Sequence, residues 1–146
     1  MNILNRSQMH DPRFVQPMRD DLTRIGFVEL RTPADVDAAL GAGVAATLVV
    51  VNSVCGCAAG VARPAVALAL RAASRRPARL VTVFAGQDLE ATARAREYFV
   101  GHPPSSPCVA LMRDGRVAWM LERAKIQGRH PGDVGADIAA ALERLC

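Results

Sequence analysis

The fold is decided by the stretch Thr47-Leu48-Val49-Val50-Val51-Asn52-Ser53-Val54-Cys55-Gly56-Cys57-Ala58-Ala59-Gly60. The segment Thr47–Asn52 is largely apolar, which predicts a strand buried on both faces of a parallel sheet. From Ala58 onward the sequence predicts the first turn of a helix. Cys55 and Cys57 are therefore expected where a strand ends and a helix begins.

This junction is a place where a thiol becomes reactive. A helix N-terminus carries a partial positive charge and unpaired N–H groups, and both lower the pKa of a nearby thiol. We expect Cys55 to be the exposed attacking thiolate and Cys57 its more sheltered partner. Since only Gly56 separates them, a disulfide between them should be strained and easily reduced. The pattern predicts thiol–disulfide chemistry.

Strands and helices alternate along the rest of the chain. Besides the central strand, the sequence predicts strands at residues 27–30, 80–85, 109–112 and 117–121. It predicts helices at residues 9–25, 33–41, 58–74, 89–99 and 133–145. We expect a kink at Pro64, a helix cap at Asp88 and a tight hairpin turn at Asp114-Gly115. The order predicts one α/β domain over residues 1–146, with helices on both faces of the sheet, an antiparallel edge pair and an extra N-terminal helix.

Composition excludes several classes of protein. The chain has 146 residues, of which 51% are hydrophobic and 22% charged, a balance typical of a globular domain. No run approaches the ~18 apolar residues of a membrane helix, and Met1–Asp11 lacks the apolar core of a secretory signal, so we expect a cytoplasmic protein without a membrane partner. The net charge of +4 comes from scattered arginines, and aromatic residues are only 4%, which argues against a nucleic-acid partner. These features leave the oligomeric state open.

The four cysteines also allow readings other than redox chemistry. They are too few and too unevenly placed for a disulfide framework. A zinc or iron–sulfur site could use Cys55, Cys57, Cys108 and perhaps Cys146, although such sites usually have wider spacing. The pair could also be two small buried hydrophobes in a non-catalytic scaffold.

The central motif resembles the signature of the bacilliredoxin family. The match covers Val50–Gly60 and continues through Ala62-Arg63-Pro64. Further matching stretches are Pro17-Met18-Arg19, Gly26-Phe27, Val81–Asp88, Ala91-Thr92-Ala93, Arg96–Phe99 and Pro104–Pro107. The resemblance implies a thioredoxin-like fold with a mixed central sheet. It also implies that Pro107, which by itself is only a turn signal after Ser106, is cis and lies against the cysteines.

The resemblance implies an activity as well. Cys55 would take a small thiol of the bacillithiol type from a mixed disulfide on a client protein, and Cys57 or a second small thiol would resolve the adduct. The small thiol would be a co-substrate, with no tightly bound cofactor and no metal, and the partners would be S-thiolated client proteins. A protein disulfide isomerase using the same residues is the alternative.

Supporting roles follow for the residues that match the motif. Asn52, Ser53 and Gly56 would shape the loop, and Ser106 would precede the cis proline. Our conjecture for Arg63 is that it orients an anionic small thiol.

Two cysteines depart from the family pattern. Cys108 stands where serine is expected, and it could be a third redox thiol close to the pair or simply a buried core residue. Cys146 is a single C-terminal cysteine where some relatives carry two, and we expect it to be incidental.

Overall fold

A computed structural model describes residues 9–146. Most of the segment Met1–Asp11, for which no secretory signal is expected, lies outside the described residues. Among residues 9–146, no helix has the length and apolar character needed to span a bilayer.

A five-stranded mixed sheet forms the centre of the structure. Its strands are β1 (Val28–Glu29), β2 (Thr47–Asn52), β3 (Arg79–Phe84), β4 (Cys108–Arg113) and β5 (Arg116–Leu121). They lie side by side in the order β1-β3-β2-β4-β5. The strands β1, β3 and β2 are parallel, whereas β4 is antiparallel to both β2 and β5. The mixed sheet and its antiparallel edge pair confirm the predicted architecture.

Helices cover both faces of the sheet. They are α1 (Pro12–Thr23), α2 (Pro33–Leu40), α3 (Arg63–Ala72), α4 (Leu89–Tyr98) and α5 (Pro131–Leu145). A π-helical turn, Ala58–Ala62, leads into α3, and a 3-10 turn, Arg123–Lys125, follows β5. The extra N-terminal helix is therefore present as α1. It opens at Pro12, the helix start expected within the predicted segment 9–25, where the Asp11 side chain accepts a hydrogen bond from the Arg13 N–H and caps the helix.

Alternate residues of β2 supply two hydrophobic cores. Leu48 and Val50 pack on the face covered by α3 and α5, and Val49 and Val51 pack on the face covered by α2 and α4. Every residue of β2 is buried, as the apolar run predicts for a central strand. Since β2 and β3 are parallel and β4 is antiparallel to β2, the carboxyl ends of β2 and β3 meet the start of β4 at one end of the sheet.

The structure adds detail at Pro64 and corrects the expectation at Asp88. The irregularity expected at Pro64 takes the form of the π-helical turn just before it, in which the Arg63 N–H donates to the Ala58 carbonyl. Asp88 does occupy the N-cap position of α4, but its side chain makes no capping hydrogen bond. It pairs instead with the guanidinium of Arg19 on α1, through bonds of 2.8 and 3.0 Å.

The hairpin turn between β4 and β5 forms where it was predicted. Asp114 and Gly115 have φ values of 53° and 75°. Positive φ at both central residues is the signature of the two-residue turn that matches the twist of the flanking strands.

Candidate redox site

Cys55 and Cys57 lie at the end of the sheet where β2 stops and the helical segment begins. Their two Sγ atoms are 2.7 Å apart, and both cysteines are free thiols. Both residues are half-buried, so exposure does not separate an accessible Cys55 from a sheltered Cys57 as expected. Their hydrogen bonds and neighbouring charges do separate them.

The environment of Cys55 favours its thiolate. Burial by itself would raise the pKa of this thiol, but hydrogen bonds from the Cys57 thiol, the Ser53 hydroxyl and the backbone N–H groups of Ala58 and Cys57 outweigh it and hold the pKa below the ordinary value. The Ser53 Oγ lies 3.2 Å from the Cys55 Sγ and also accepts a bond from the Cys55 N–H. A thiol with these donors can act as a nucleophile near neutral pH.

Cys57 behaves in the opposite way. Burial raises the pKa of its thiol, and the hydrogen bond and negative charge of Cys55 raise it further. The guanidinium of Arg123 opposes these effects. The two shifts have opposite directions, so Cys55 is the more acidic thiol of the pair and ionises first, with the Cys57 thiol placed to donate to its sulfur.

A polar network fixes Ser53 in the loop between β2 and the π-helical turn, which carries the two cysteines. The Asn52 side chain accepts from the Ser53 N–H at 2.9 Å and donates to the Met18 carbonyl at 3.1 Å. Arg63, which is buried, donates through Nη1 to the Asn52 side chain and to the Ser53 carbonyl, both at 2.9 Å. Its Nε donates to Asp21 at 3.1 Å. These bonds make Arg63 a support of the loop, and the conjecture that it orients an anionic thiol stays a prediction.

The loop before β4 reaches the same end of the sheet. The Ser106–Pro107 peptide bond is cis, as the resemblance implied. Pro107 is buried and Ser106 is half-buried. Gly56, between the two cysteines, is exposed, and the space where its Cβ would lie is open.

Sequence reasoning missed Arg123 and the partner of Arg63. Arg123 lies in the 3-10 turn after β5, and its Nη1 donates to the Ser106 carbonyl at 3.3 Å. Asp21, which shows no recognisable role in the sequence, pairs with Arg63. No spacing in the sequence signals either contact, because each joins elements that are distant along the chain.

Cys108 is a core residue beside this site. It is 2% exposed and pairs in register with Val51 of β2. Burial raises the pKa of its thiol to about 12, so the thiol is protonated at neutral pH and a weak nucleophile. These properties favour the core role, and a third redox function stays a prediction.

Cys146 lies at the opposite end of the sheet. Its carbonyl accepts a bond from Arg75, and its thiol lies near Arg113, the last residue of β4. Within residues 9–146, no three cysteine, histidine or carboxylate side chains are arranged to hold a metal ion. The metal-binding alternative built on Cys55, Cys57 and Cys108 therefore has no ligand set in this part of the chain.

Comparison with known proteins assigns the chain to a family. The model of a family described as disulphide isomerase matches residues 10–146. A bacilliredoxin of Salinibacter ruber is 54% identical over 135 residues, which cover 92% of this chain and 79% of the relative. The chain belongs to the bacilliredoxin family. A bacilliredoxin of Geobacillus kaustophilus is likewise 54% identical, over 90% of each chain, and one of Bacillus cereus is 52% identical over 90% of each chain.

Membership of the bacilliredoxin family confirms the resemblance drawn from the sequence. Both family descriptions indicate thiol–disulfide redox chemistry, the function class expected from Cys55-Gly56-Cys57. The mixed α/β architecture is consistent with the thioredoxin-like fold that the resemblance implied.

Proposed function

We propose that this protein is a thiol–disulfide oxidoreductase that removes a small thiol of the bacillithiol type from mixed disulfides on client proteins. The observation that carries the proposal is the hydrogen bonding of Cys55, which favours its thiolate at a half-buried and reachable position. Thiolates, not thiols, attack disulfides.

The proposed reaction is two thiol–disulfide exchanges. In the first, the Cys55 thiolate attacks the small-thiol sulfur of the mixed disulfide, and the client leaves as a thiolate and takes up a proton. In the second, either Cys57 attacks the Cys55 sulfur, which forms the Cys55–Cys57 disulfide and releases the small thiol, or another small thiol attacks the small-thiol sulfur of the adduct, which forms a disulfide of two small thiols and releases Cys55. Each exchange forms one disulfide and breaks one, so the co-substrate is the small thiol and neither exchange uses a tightly bound cofactor. The cytoplasmic location and the client partners expected from the sequence are part of this proposal.

Trapping the adduct tests the proposal. A client protein carrying a bacillithiol mixed disulfide is mixed with Cys57→Ala protein, and intact mass is measured under non-reducing conditions. We expect the mass of one small thiol on Cys55 and none on the matched Cys55→Ala protein. A Cys57→Ala protein that stays unmodified while the client keeps its thiol would refute the proposal. Parallel clients carrying glutathione or cysteine report which small thiol is preferred.

Protein disulfide isomerase activity is the second candidate, because the matching family model is described as disulphide isomerase. An isomerase attacks the client's own disulfides, so Cys57→Ala protein would be trapped as a covalent complex with the client rather than with a small thiol. The direct measurement uses a substrate enzyme whose disulfides have been scrambled, and it follows the recovery of that enzyme's activity.

A further inference from the structure

Arg123 is held by the cis-proline loop at the end of the sheet that carries the redox pair. Its backbone N–H donates to the Ser105 Oγ at 2.7 Å, and its Nη1 donates to the Ser106 carbonyl at 3.3 Å. Its Nε donates to Gln127 at 3.3 Å, within the same segment. Cys108, which directly follows Pro107, pairs in register with Val51, so the Ser106 carbonyl that binds the exposed Arg123 lies at the end of the sheet where β2 leads into the redox loop.

Two charged groups act on the Cys57 sulfur, and their signs are opposite. The Cys55 thiolate opposes ionisation of Cys57, through its charge and through the hydrogen bond that it accepts. The Arg123 guanidinium favours ionisation. In the reduced protein the influence of Cys55 is the larger, so Cys57 stays protonated.

The balance changes when Cys55 reacts. A sulfur in a disulfide carries no charge, so the repulsion and the hydrogen bond that protect the Cys57 proton both disappear. Arg123 does not take part in the exchange, and its positive charge remains.

We propose that Arg123 stabilises the Cys57 thiolate once Cys55 carries a mixed disulfide, and so accelerates the second exchange. This inference rests on the proposed function. In the step concerned, the Cys57 thiolate attacks the Cys55 sulfur, the Cys55–Cys57 bond forms, and the small thiol leaves as a thiolate that takes up a proton. One disulfide replaces another, so the step requires no outside oxidant or reductant.

Alkylation of Cys57 tests the effect without any client. In a Cys55→Ala background, which mimics the uncharged sulfur, iodoacetamide labelling of Cys57 is followed against pH by site-resolved mass spectrometry. We expect Arg123→Gln to slow labelling near neutral pH about 3-fold, the size of an exposed charge pair. Arg123→Lys should restore most of the rate, and the difference should shrink in ~1 M salt because exposed charges are screened.

The matched control is Lys125→Gln, which removes a positive charge from the same turn and should leave Cys57 labelling unchanged. Equal labelling of the Arg123→Gln and parent proteins would overturn the proposal. A loss that Lys does not restore and that salt does not reduce would also overturn it, because Arg123 would then act only by shaping the loop.

Rapid mixing separates the two exchanges in protein with both cysteines. Arg123→Gln should slow release of the small thiol from Cys55 about 3-fold and leave adduct formation unchanged. Equal slowing of both steps would assign Arg123 to substrate binding and overturn the inference. Because adduct formation on Cys55 is measured separately, failure of this inference is distinguishable from failure of the proposed function.

Discussion

At Cys55, hydrogen bonds outweigh burial. Half-burial alone would make the thiol a weaker acid, yet four donors from the segment 53–58 reverse the direction of the pKa shift. Cys57 is close enough to donate to the same sulfur, and the ionised neighbour makes its own ionisation unfavourable. The opposite pKa shifts of the two cysteines thus come from the hydrogen-bond donors around Cys55 and from the effect of the Cys55 charge on Cys57.

Replacing Ser53 tests this account directly. Ser53→Ala removes the hydroxyl that lies 3.2 Å from the Cys55 Sγ. A hydrogen bond to a charged group is typically worth 1.5–3 kcal/mol, so we expect alkylation of Cys55 at neutral pH to slow about 10-fold. The rate of the parent protein should rise with pH and level off below the pKa of free cysteine, and this inflection should move to higher pH in the variant.

Ser74→Ala provides the control, because Ser74 bonds Glu143 on α5 and has no contact with the redox pair. An unchanged pH profile in Ser53→Ala would show that the hydroxyl does not stabilise the thiolate.

The π-helical turn joins the redox loop to α3. Its wider hydrogen bonding accommodates Pro64, which has no N–H to donate, near the start of α3. Arg63 follows this turn directly and is buried, where it bonds the Asn52 side chain and the Ser53 carbonyl. The connection between Cys57 and α3 therefore also brings in the side chain that fixes the loop in front of Cys55.

Two glycines in different elements should respond oppositely to alanine. Gly115 has a φ of 75°, and a Cβ there would lie 3.3 Å from the Ala42 backbone nitrogen. We expect Gly115→Ala to lower the free energy of unfolding by about 1–2 kcal/mol. Gly60 lies in the π-helical turn with open space around its missing Cβ, so Gly60→Ala should be neutral or stabilising by up to about 1 kcal/mol. Urea unfolding of both variants measures the difference, and equal effects would contradict this assignment.

At the scale of the whole molecule, a buried ion pair fastens α1 to the sheet. The side chains of Arg19 and Asp88 are each only 6% exposed, and Glu29 of β1 gives Arg19 a second carboxylate at 2.8 Å. The Arg19 guanidinium also lies over the Phe84 ring, 5.0 Å from its centroid. Asp88 thus joins three parts of the fold: α1, the end of β3 and the start of α4.

Neutralising Asp88 should therefore cost stability. In Asp88→Asn, Arg19 keeps its buried charge but loses the bidentate partner, and we expect the free energy of unfolding to fall by about 3 kcal/mol. Asp37→Asn is the matched control, because Asp37 pairs with Arg94 where the two side chains are 47% and 36% exposed. An exposed pair contributes less than about 1 kcal/mol. The two variants are compared by the midpoints of their denaturant unfolding curves, provided that the dependence of the unfolding free energy on denaturant concentration is unchanged. A smaller loss of unfolding free energy for Asp88→Asn than for Asp37→Asn would refute the prediction.

Sequence alone predicts the parts of this fold that local patterns encode. The apolar run of β2, the Asp114-Gly115 turn and the position of Cys55 and Cys57 all follow from residue types at short spacing. The contacts Arg19–Asp88, Arg63–Asp21 and Arg123–Ser106 do not, because they depend on how distant elements pack. Asp88 illustrates the limit: the sequence correctly identifies the cap position, but tertiary packing draws its side chain to a buried arginine.

The donors that make Cys55 acidic all belong to residues 53–58, whereas the cation that acts on Cys57 comes from beyond β5. A ribosome therefore delivers the complete set of groups around the attacking sulfur long before it delivers Arg123. The two steps of the proposed exchange thus depend on parts of the chain that are made at different times.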